Sequence, residues 1–187
     1  QRCDPSGSPM LVFSGLDSSV AGSVESSFAV AGRTVVSNAK NYRMDSDVPL
    51  LIPEINADHL DLLQRQSETR AWPGKIVTNP NCSTIIMTLA LAPLCQFGLE
   101  RVMVTTLQAI SGAGYPGVSS LDILGNIVPH IPGEETKIEL ETQKILGSLS
   151  AGIVQPHDVV VSAQATRVPV LNGHTVLISV KLTEQPT

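Results

Sequence analysis

Short apolar runs alternate with segments of helical pattern over the first eighty residues, and this alternation restricts the possible folds most. Residues 8–14 read as a buried strand, residues 17–31 start with helix-capping side chains, and residues 34–37 are again rich in β-branched residues. A strand, a helix and a second strand in this order form a β-α-β unit, which places its strands parallel through a right-handed crossover. The sequence therefore predicts a doubly wound, Rossmann-like sheet.

Three more elements are predicted before residue 79. A third strand covers residues 48–52, a helix capped by Asn56 and bearing Leu60 and Leu63 follows it, and a fourth strand covers residues 75–78. The helix over residues 17–31 is expected to bury one apolar face, formed by Val20, Val24 and Phe28.

The second half of the chain mixes strand and helix patterns without β-α alternation. We predict a partial doubly wound α/β sheet in residues 1–78, the remnant of a dinucleotide-binding domain, followed by a mixed α+β catalytic and dimerisation domain in residues 79–187. The elements predicted in the second part are strands at 101–107, 158–162 and 175–182, helices at 121–127 and 137–146, and a glycine- and proline-rich loop at 108–117.

The composition excludes several classes of function. The chain has 187 residues, of which 42% are hydrophobic and only 3% aromatic, with a net charge of −5 and no run of basic residues. This pattern fits a well-packed core and does not fit a nucleic-acid surface, so small molecules or further copies of the chain are the expected partners. The three cysteines, Cys3, Cys82 and Cys95, form no CxxC pair and indicate a cytoplasmic protein. No membrane segment and no metal site are predicted.

The segment Asn79-Pro80-Asn81-Cys82 places a thiol at the start of a predicted helix. The free amide groups and the positive end of the helix dipole favour the thiolate, which is the nucleophilic form of cysteine. Cys82 is therefore a candidate for covalent catalysis. The alternative interpretation is a small apolar residue that packs beneath the helix.

Four further segments carry polar groups in a recognisable order along the chain. They are Ser37–Met44, Gln108–Gly114, Ile131–Glu135 and Arg167–His174. Together with Asn79–Cys82, they make the chain resemble the aspartate-semialdehyde dehydrogenase family, especially its fungal and archaeal form. The resemblance runs from about Ser8 to about Pro186 and implies an NADP-dependent, reversible reductive dephosphorylation of β-aspartyl phosphate.

The resemblance implies three catalytic residues. Cys82 matches the nucleophile that forms the thiohemiacetal and the thioester, His174 matches the acid/base histidine, and Gln108 matches the glutamine that orients the substrate. By themselves, His174 and Gln108 could equally be a loop residue and an amide that satisfies a strand end.

Substrate and cofactor positions are implied in the same way. Arg167 matches the arginine that binds the substrate carboxylate, for which a guanidinium offers two parallel hydrogen bonds. Glu134 matches the group for the substrate ammonium, although Glu134 and Lys137 also have the i,i+3 spacing of a surface ion pair. The implied phosphate site comprises Lys137, Arg43 and Asn81, and the implied nicotinamide site comprises Ser14, Gly15, Leu16, Asn38, Ser111 and Gly112.

The chain departs from the family pattern at both ends. No G-x-x-G-x-x-G loop stands before Ser8, and the chain ends at Thr187, so it corresponds to about half of a family subunit. Val176 also occupies a position where an acidic residue is expected near His174. Two other functions therefore compete with the dehydrogenase: a cofactor-independent enzyme that uses the same Cys/His pocket, and a non-catalytic subunit. The family resemblance also implies a homodimer or homotetramer.

Overall fold

The computed structural model describes residues 4–186, so Cys3 lies outside the described residues. The chain forms two compact units. The first unit runs to Asn81 and also includes Lys144–His157. The predicted division of the chain near residue 79 did not include this second segment. The second comprises Cys82–Gln143 and the chain from Asp158 onward.

Strands and helices alternate at the start of the chain, and the last four strands follow one another without an intervening helix. The strands are β1 (Leu11–Ser14), β2 (Thr34–Ser37), β3 (Lys75–Thr78), β4 (Leu99–Gln108), β5 (Ser148–Ser150), β6 (Ile153–Gln155), β7 (Val160–Arg167) and β8 (Thr175–Leu182). The α-helices are α1 (Ser18–Val30), α2 (Pro53–Asn56), α3 (Leu62–Thr69), α4 (Cys82–Leu91), α5 (Ser120–Ile123) and α6 (Glu134–Ile145). Within residues 4–186, no helix is long and apolar enough to cross a membrane.

A three-stranded parallel sheet in the order β1-β2-β3 organises the first unit. This arrangement confirms the predicted parallel α/β fold. The predicted strand at residues 48–52 is wrong, because only Leu50 forms an isolated bridge with Thr78. Pro49 and Pro53 lack the backbone N–H groups that a continuous ladder requires.

Helix α1 packs on this sheet through small residues. It buries Ala21, Glu25 and Ala29, whereas Val20 is exposed and the other two predicted face residues are half-buried. The predicted face was therefore wrong by one position along the helix. Small side chains allow a close backbone approach, and the Gly74 N–H donates to Ala29 O at 2.9 Å.

Asn56 does not cap the helix that was predicted to follow it. Its side chain accepts from the Ile52 N–H at 2.8 Å and donates to Leu50 O at 2.9 Å, which closes the turn of α2 instead. Of the two leucines predicted for this helix, Leu63 lies in α3 and Leu60 lies in the preceding 3-10 turn, while α3 buries Leu62 and Gln66. A buried amide at position 66 carries no hydrophobic signal in the sequence.

The second unit is built on a mixed sheet in the order β7-β4-β8. Strand β4 pairs in parallel with β7 and antiparallel with β8. The predicted strands of this unit are confirmed, although β7 extends to Arg167. The helix predicted at residues 121–127 is reduced to the single turn of α5, because Leu124 is extended and Gly125 has φ +69°.

Candidate active site

Three strand ends meet at one edge of the mixed sheet. Strands β4 and β7 are parallel, and their last residues, Gln108 and Arg167, lie opposite each other in register. Strand β8 runs the other way and starts at Thr175 opposite Leu107, so His174 lies at the same edge. The sheet topology thus brings together three predicted site residues that are separated by up to 66 positions (174 − 108) in the sequence.

A network of buried side chains links Gln108 to its neighbours. Arg167 Nη1 donates to Ala109 O at 2.8 Å and to Gln108 Oε1 at 3.4 Å. Gln108 Nε2 donates to Thr106 Oγ1 at 3.2 Å and to Glu134 Oε1 at 3.3 Å. Because its nitrogen faces two acceptors and its oxygen faces a donor, the Gln108 amide has one defined orientation. Sequence reasoning missed Thr106, whose hydroxyl completes this arrangement.

Glu134 and Lys137 form the ion pair that their spacing predicts. The Lys137 Nζ to Glu134 Oε2 distance is 2.9 Å, and the Glu134 side chain is only 8% exposed. The pair is therefore more than a surface contact, because its carboxylate also accepts from Gln108. It places one negative and one positive group at the first turn of α6.

His174 is held by the backbone of the segment that follows β4. The Ala109 N–H donates to His174 Nδ1 at 3.1 Å. Burial, reinforced by the positive charge of Arg167, lowers the pKa of His174, while Glu134 opposes this effect. A methyl group on Gly112 would lie 2.7 Å from His174 Cε1 and 2.9 Å from Arg167 Nη1. Glycine, which has no Cβ, therefore allows the imidazole and the guanidinium to approach the backbone at position 112.

Cys82 is the first residue of α4, and its free thiol is exposed. Burial lowers the pKa of Arg167, whereas the charges of Glu134 and Cys82 act in the opposite direction. Cys95, by contrast, is half-buried, and burial raises the pKa of its thiol.

An open cavity of about 370 Å³ lies beside this network. Its polar lining includes Arg167, Glu134, Lys137 and His130, and Gly112 also contributes to its wall. His130 was not identified from the sequence, where an isolated exposed histidine gives no functional signal. Within residues 4–186, no group of three or more His, Cys, Asp or Glu side chains is arranged to hold a metal ion.

Four of the predicted cofactor residues, Ser14, Gly15, Leu16 and Asn38, lie at the carboxyl edge of the parallel sheet in the first unit. Ser14 is the last residue of β1, Gly15 and Leu16 follow it, and all three line a cavity of about 180 Å³ that Glu25 also lines. The Ser14 and Ser37 hydroxyl groups donate to Glu25 Oε1 at 2.5 and 2.7 Å. This buried carboxylate therefore ties the ends of β1 and β2 together.

Asn38, Arg43 and Asn81 also belong to the first unit. The Asn38 N–H donates to Ser14 O at 2.9 Å, and Arg43 Nη2 donates to Asn38 O at 2.8 Å. Asn81 is buried and immediately precedes Cys82. Ser111 and Gly112 instead belong to the second unit, in the 3-10 turn at Ile110–Ala113.

Two family models match the chain and indicate its class of protein. Residues 6–63 match the family model of the semialdehyde dehydrogenase NAD binding domain, and residues 91–187 match that of the semialdehyde dehydrogenase dimerisation domain. The chain is 53% identical to the aspartate-semialdehyde dehydrogenase of Archaeoglobus fulgidus over 88% of its length, and 53% identical to that of Schizosaccharomyces pombe over 97%.

A solved structure of aspartate-semialdehyde dehydrogenase from Candida albicans with NADP matches the whole chain, with a TM-score of 0.87 and 46% identity. The chain therefore belongs to the aspartate-semialdehyde dehydrogenase family. It spans about half of each of these relatives, namely 48% of the archaeal protein, 53% of the S. pombe protein and 55% of the C. albicans chain.

Proposed function

We propose that this chain carries the thiol site of an aspartate-semialdehyde dehydrogenase. The proposed reaction is the reversible, NADP-dependent conversion of β-aspartyl phosphate to aspartate semialdehyde and phosphate. The observation that carries the proposal is the buried contact of Gln108 with both Glu134 and Arg167 in the unit that begins at Cys82. A purely structural descendant has no need for this combination of ionic and amide groups in a unit that also exposes a thiol.

Cys82 acts as the nucleophile in this proposal. Its sulfur adds to the aldehyde carbon to give a thiohemiacetal, or to the acyl carbon of the phosphate to give a thioester. The exposure of Cys82 at the first turn of α4 supports this role, because the substrate must reach the sulfur. Gln108 orients the substrate, and His174 acts at its carbonyl oxygen.

The charged groups of the second unit fit an amino-acid substrate. Arg167 binds the carboxylate, Glu134 binds the ammonium and Lys137 binds phosphate, and all three line the same cavity. Arg43 and Asn81 are proposed as further phosphate ligands from the family pattern. The opposite charges of Glu134 and Lys137, which pair at 2.9 Å in this structure, match the opposite charges of the two ligand groups.

The first unit fits the nicotinamide half of NADP. Parallel sheets bind dinucleotides beyond the carboxyl ends of their strands, where Ser14, Gly15, Leu16 and Asn38 lie. Glu25 Oε2 is buried beside this cleft without a hydrogen-bond partner among the described residues, so the cleft can accept a hydrogen-bond donor. Ser111 and Gly112 complete the proposed set. When bound, NADP would supply the hydride acceptor for the substrate carbon.

The exposed face of the mixed sheet supports self-association. It includes the exposed apolar side chains Met103, Val160 and Leu177 from its three strands. A patch of this kind marks an interaction surface, and we propose a homodimer or homotetramer formed through it. Sedimentation at micromolar concentration should show at least a dimer, and a monomer would contradict this part of the proposal. The cysteine pattern supports a cytoplasmic location.

Titration of NADPH into the purified chain, followed by addition of aspartate semialdehyde, phosphate and NADP, tests the proposed function. We expect saturable quenching or enhancement of the nicotinamide fluorescence and substrate-dependent formation of NADPH. The matched control is Cys82→Ser, which should keep cofactor binding and lose turnover. Cofactor-independent consumption of the aldehyde would favour the competing pocket enzyme, and neither binding nor turnover would favour a non-catalytic subunit.

A further inference from the structure

We propose that Lys144 is a positioning residue for the phosphate site, because its ammonium group holds the loop of residues 43–48 in the shape that places the Arg43 guanidinium. The inference rests on the proposed function for the phosphate-binding role of Arg43. The contacts between Lys144 and the loop do not depend on that role, and both belong to the first unit. Lys144 therefore affects how well the phosphate group of the substrate binds without touching it.

Lys144 lies in the last turn of α6, where its ammonium group contacts three backbone carbonyls. Nζ donates to Arg43 O at 2.7 Å, to Asp45 O at 2.8 Å and to Val48 O at 2.9 Å. The lysine is only 7% exposed. An ammonium group has three N–H donors, so these oxygens provide one acceptor for each donor. A buried charge requires such hydrogen bonds, and the ammonium group and the loop therefore stabilise each other.

The loop of residues 43–48 consists of turns, so the ladder of the parallel sheet does not fix its path. Its backbone bonds are short-range, because the Asp45 N–H donates to Tyr42 O at 3.1 Å and the Val48 N–H donates to Asp45 O at 3.2 Å. Bonds of this kind determine the local curvature. The three carbonyls that converge on Lys144 Nζ also determine how far apart the two ends of the loop lie.

The contact at Arg43 connects the loop to the proposed phosphate ligand. The Arg43 carbonyl accepts from Lys144, and Arg43 Nη2 donates to Asn38 O at 2.8 Å. The backbone and the guanidinium of this buried arginine are thus held at separate points. Arg70 binds the same loop through two aspartate carboxylates, each at 2.5 Å. Loss of the Lys144 ammonium group should therefore displace the backbone at position 43 without unfolding the first unit.

A double-mutant cycle on the acylation of Cys82 by β-aspartyl phosphate tests whether Lys144 acts through Arg43. Lys144→Met removes the ammonium group at similar side-chain length, and Arg43→Ala removes the guanidinium. We expect each variant to raise the KM for the acyl phosphate about tenfold with little change in the maximal acylation rate, because a charge-assisted hydrogen bond contributes about this much. The double variant should have nearly the KM of Arg43→Ala, because Lys144 then has no guanidinium to position.

The position of the guanidinium is measured separately, by ¹H–¹⁵N NMR of the ¹⁵N-labelled chain without substrate or cofactor. Arg43→Lys identifies the Arg43 Nε–H signal by its disappearance. Lys144→Met should shift this signal and speed its exchange with solvent, and Lys144→Gln, which retains two N–H donors, should have a smaller effect. His59→Gln is the matched control, because the buried His59 contacts the same Lys144–His157 segment at Gly147 O. This variant should leave the Arg43 signal unchanged.

An unchanged Arg43 signal in folded Lys144→Met, or an equal shift in His59→Gln, would overturn the inference. A further tenfold rise in KM in the double variant would also overturn it, because Lys144 would then act on the substrate by another route. If Lys144→Met does not fold, Lys144→Gln replaces it in both measurements. A shifted Arg43 signal in a chain that is not acylated would support the positioning role of Lys144 and contradict the proposed function alone.

Discussion

The two units hold their candidate residues in different ways. In the first unit, Ser14 ends β1 and Asn38 follows β2. Glu25 accepts from Ser14 and Ser37, and the Asn38 N–H donates to Ser14 O. In the second unit, side chains from strand ends and a helix contact one another directly, as Gln108 does with Glu134 and Arg167. The first arrangement positions loops around a cleft, whereas the second brings charged and amide groups into direct contact.

The same contrast determines what a small change does to each unit. Loops held by backbone bonds tolerate side-chain changes until the backbone itself is displaced. A side-chain network loses its geometry when one neighbour moves by a fraction of an ångström. Substitutions in the second unit should therefore affect acylation of Cys82 most, whereas substitutions in the first unit should affect stability most.

Gly112→Ala should have the largest effect on chemistry. The new methyl group would lie 2.7 Å from His174 Cε1 and 2.9 Å from Arg167 Nη1, so both groups must move. We expect Cys82 acylation by β-aspartyl phosphate to slow on the order of 10²- to 10³-fold. Thermal stability should fall as well, because Arg167 is buried and donates to Ala109 O, so the rates are compared at a temperature where both chains are folded.

Two glycines provide controls for this variant. A methyl group at Gly7 meets nothing within 4 Å, so Gly7→Ala should be neutral. At Gly74 it would lie 2.3 Å from Arg33 O and 2.5 Å from Ala29 O, so Gly74→Ala should destabilise the first unit. Equal acylation rates in Gly112→Ala and the parent chain would contradict the proposed position of His174 and Arg167.

Arg167→Lys tests whether the second unit still recognises an amino acid. Lysine keeps the charge but loses the two-pronged geometry, so acylation by β-aspartyl phosphate should lose roughly 2 to 3 kcal/mol of transition-state stabilisation, or about 30- to 150-fold in efficiency. Acetyl phosphate, which has no free carboxylate, serves as the matched substrate and should be much less affected. If the acylation efficiency with β-aspartyl phosphate and the thermal stability were both unchanged in Arg167→Lys, Arg167 would not bind the substrate carboxylate.

His59 gives the first unit a smaller, pH-dependent effect. It is fully buried, its Nδ1 lies 3.0 Å from Asn56 Nδ2 and its Nε2 lies 3.2 Å from Gly147 O. Burial lowers the pKa of His59 from its ordinary value of 6.5. The unfolded chain therefore binds this proton more readily, so stability is retained above that value and lost as the pH falls below it.

The loss should reach at most about 1.4 kcal/mol of unfolding free energy per pH unit. Chemical denaturation at about pH 7.5 and about pH 5.5 measures it. His59→Gln should show a weaker pH dependence than the parent chain, and His130→Gln, at an exposed position, should retain it. An identical slope in His59→Gln would show that another group controls acid stability.

The sequence predicted features that depend on local pattern. The β-α-β alternation correctly predicted the parallel sheet, and the Asn79–Cys82 segment correctly predicted where α4 begins. The local pattern could not predict the strand order β7-β4-β8, because contacts between residues far apart in the sequence determine which strands are neighbours. Hence no pattern indicated that Gln108 lies beside Arg167.

The sequence-based predictions were wrong where prolines interrupt an apolar run or where a polar side chain is buried. Pro49 and Pro53 interrupt an apolar run that would otherwise form a strand. Glu25 is buried although carboxylates are rarely buried, because two serine hydroxyl groups donate to it. Thr106 and Ala109 were missed because a threonine in a strand and a backbone amide give no functional signal in a sequence.

Acyl transfer to Cys82 tests the central claim most directly. The chain is incubated with β-aspartyl phosphate without cofactor, quenched with acid and mapped by peptide mass spectrometry. The account predicts one aspartyl group on Cys82, removable by hydroxylamine, with none on the half-buried Cys95 and none on the Cys82→Ser variant. Absence of the adduct from Cys82, or equal acylation of Cys95, would contradict a thiol active site in the second unit.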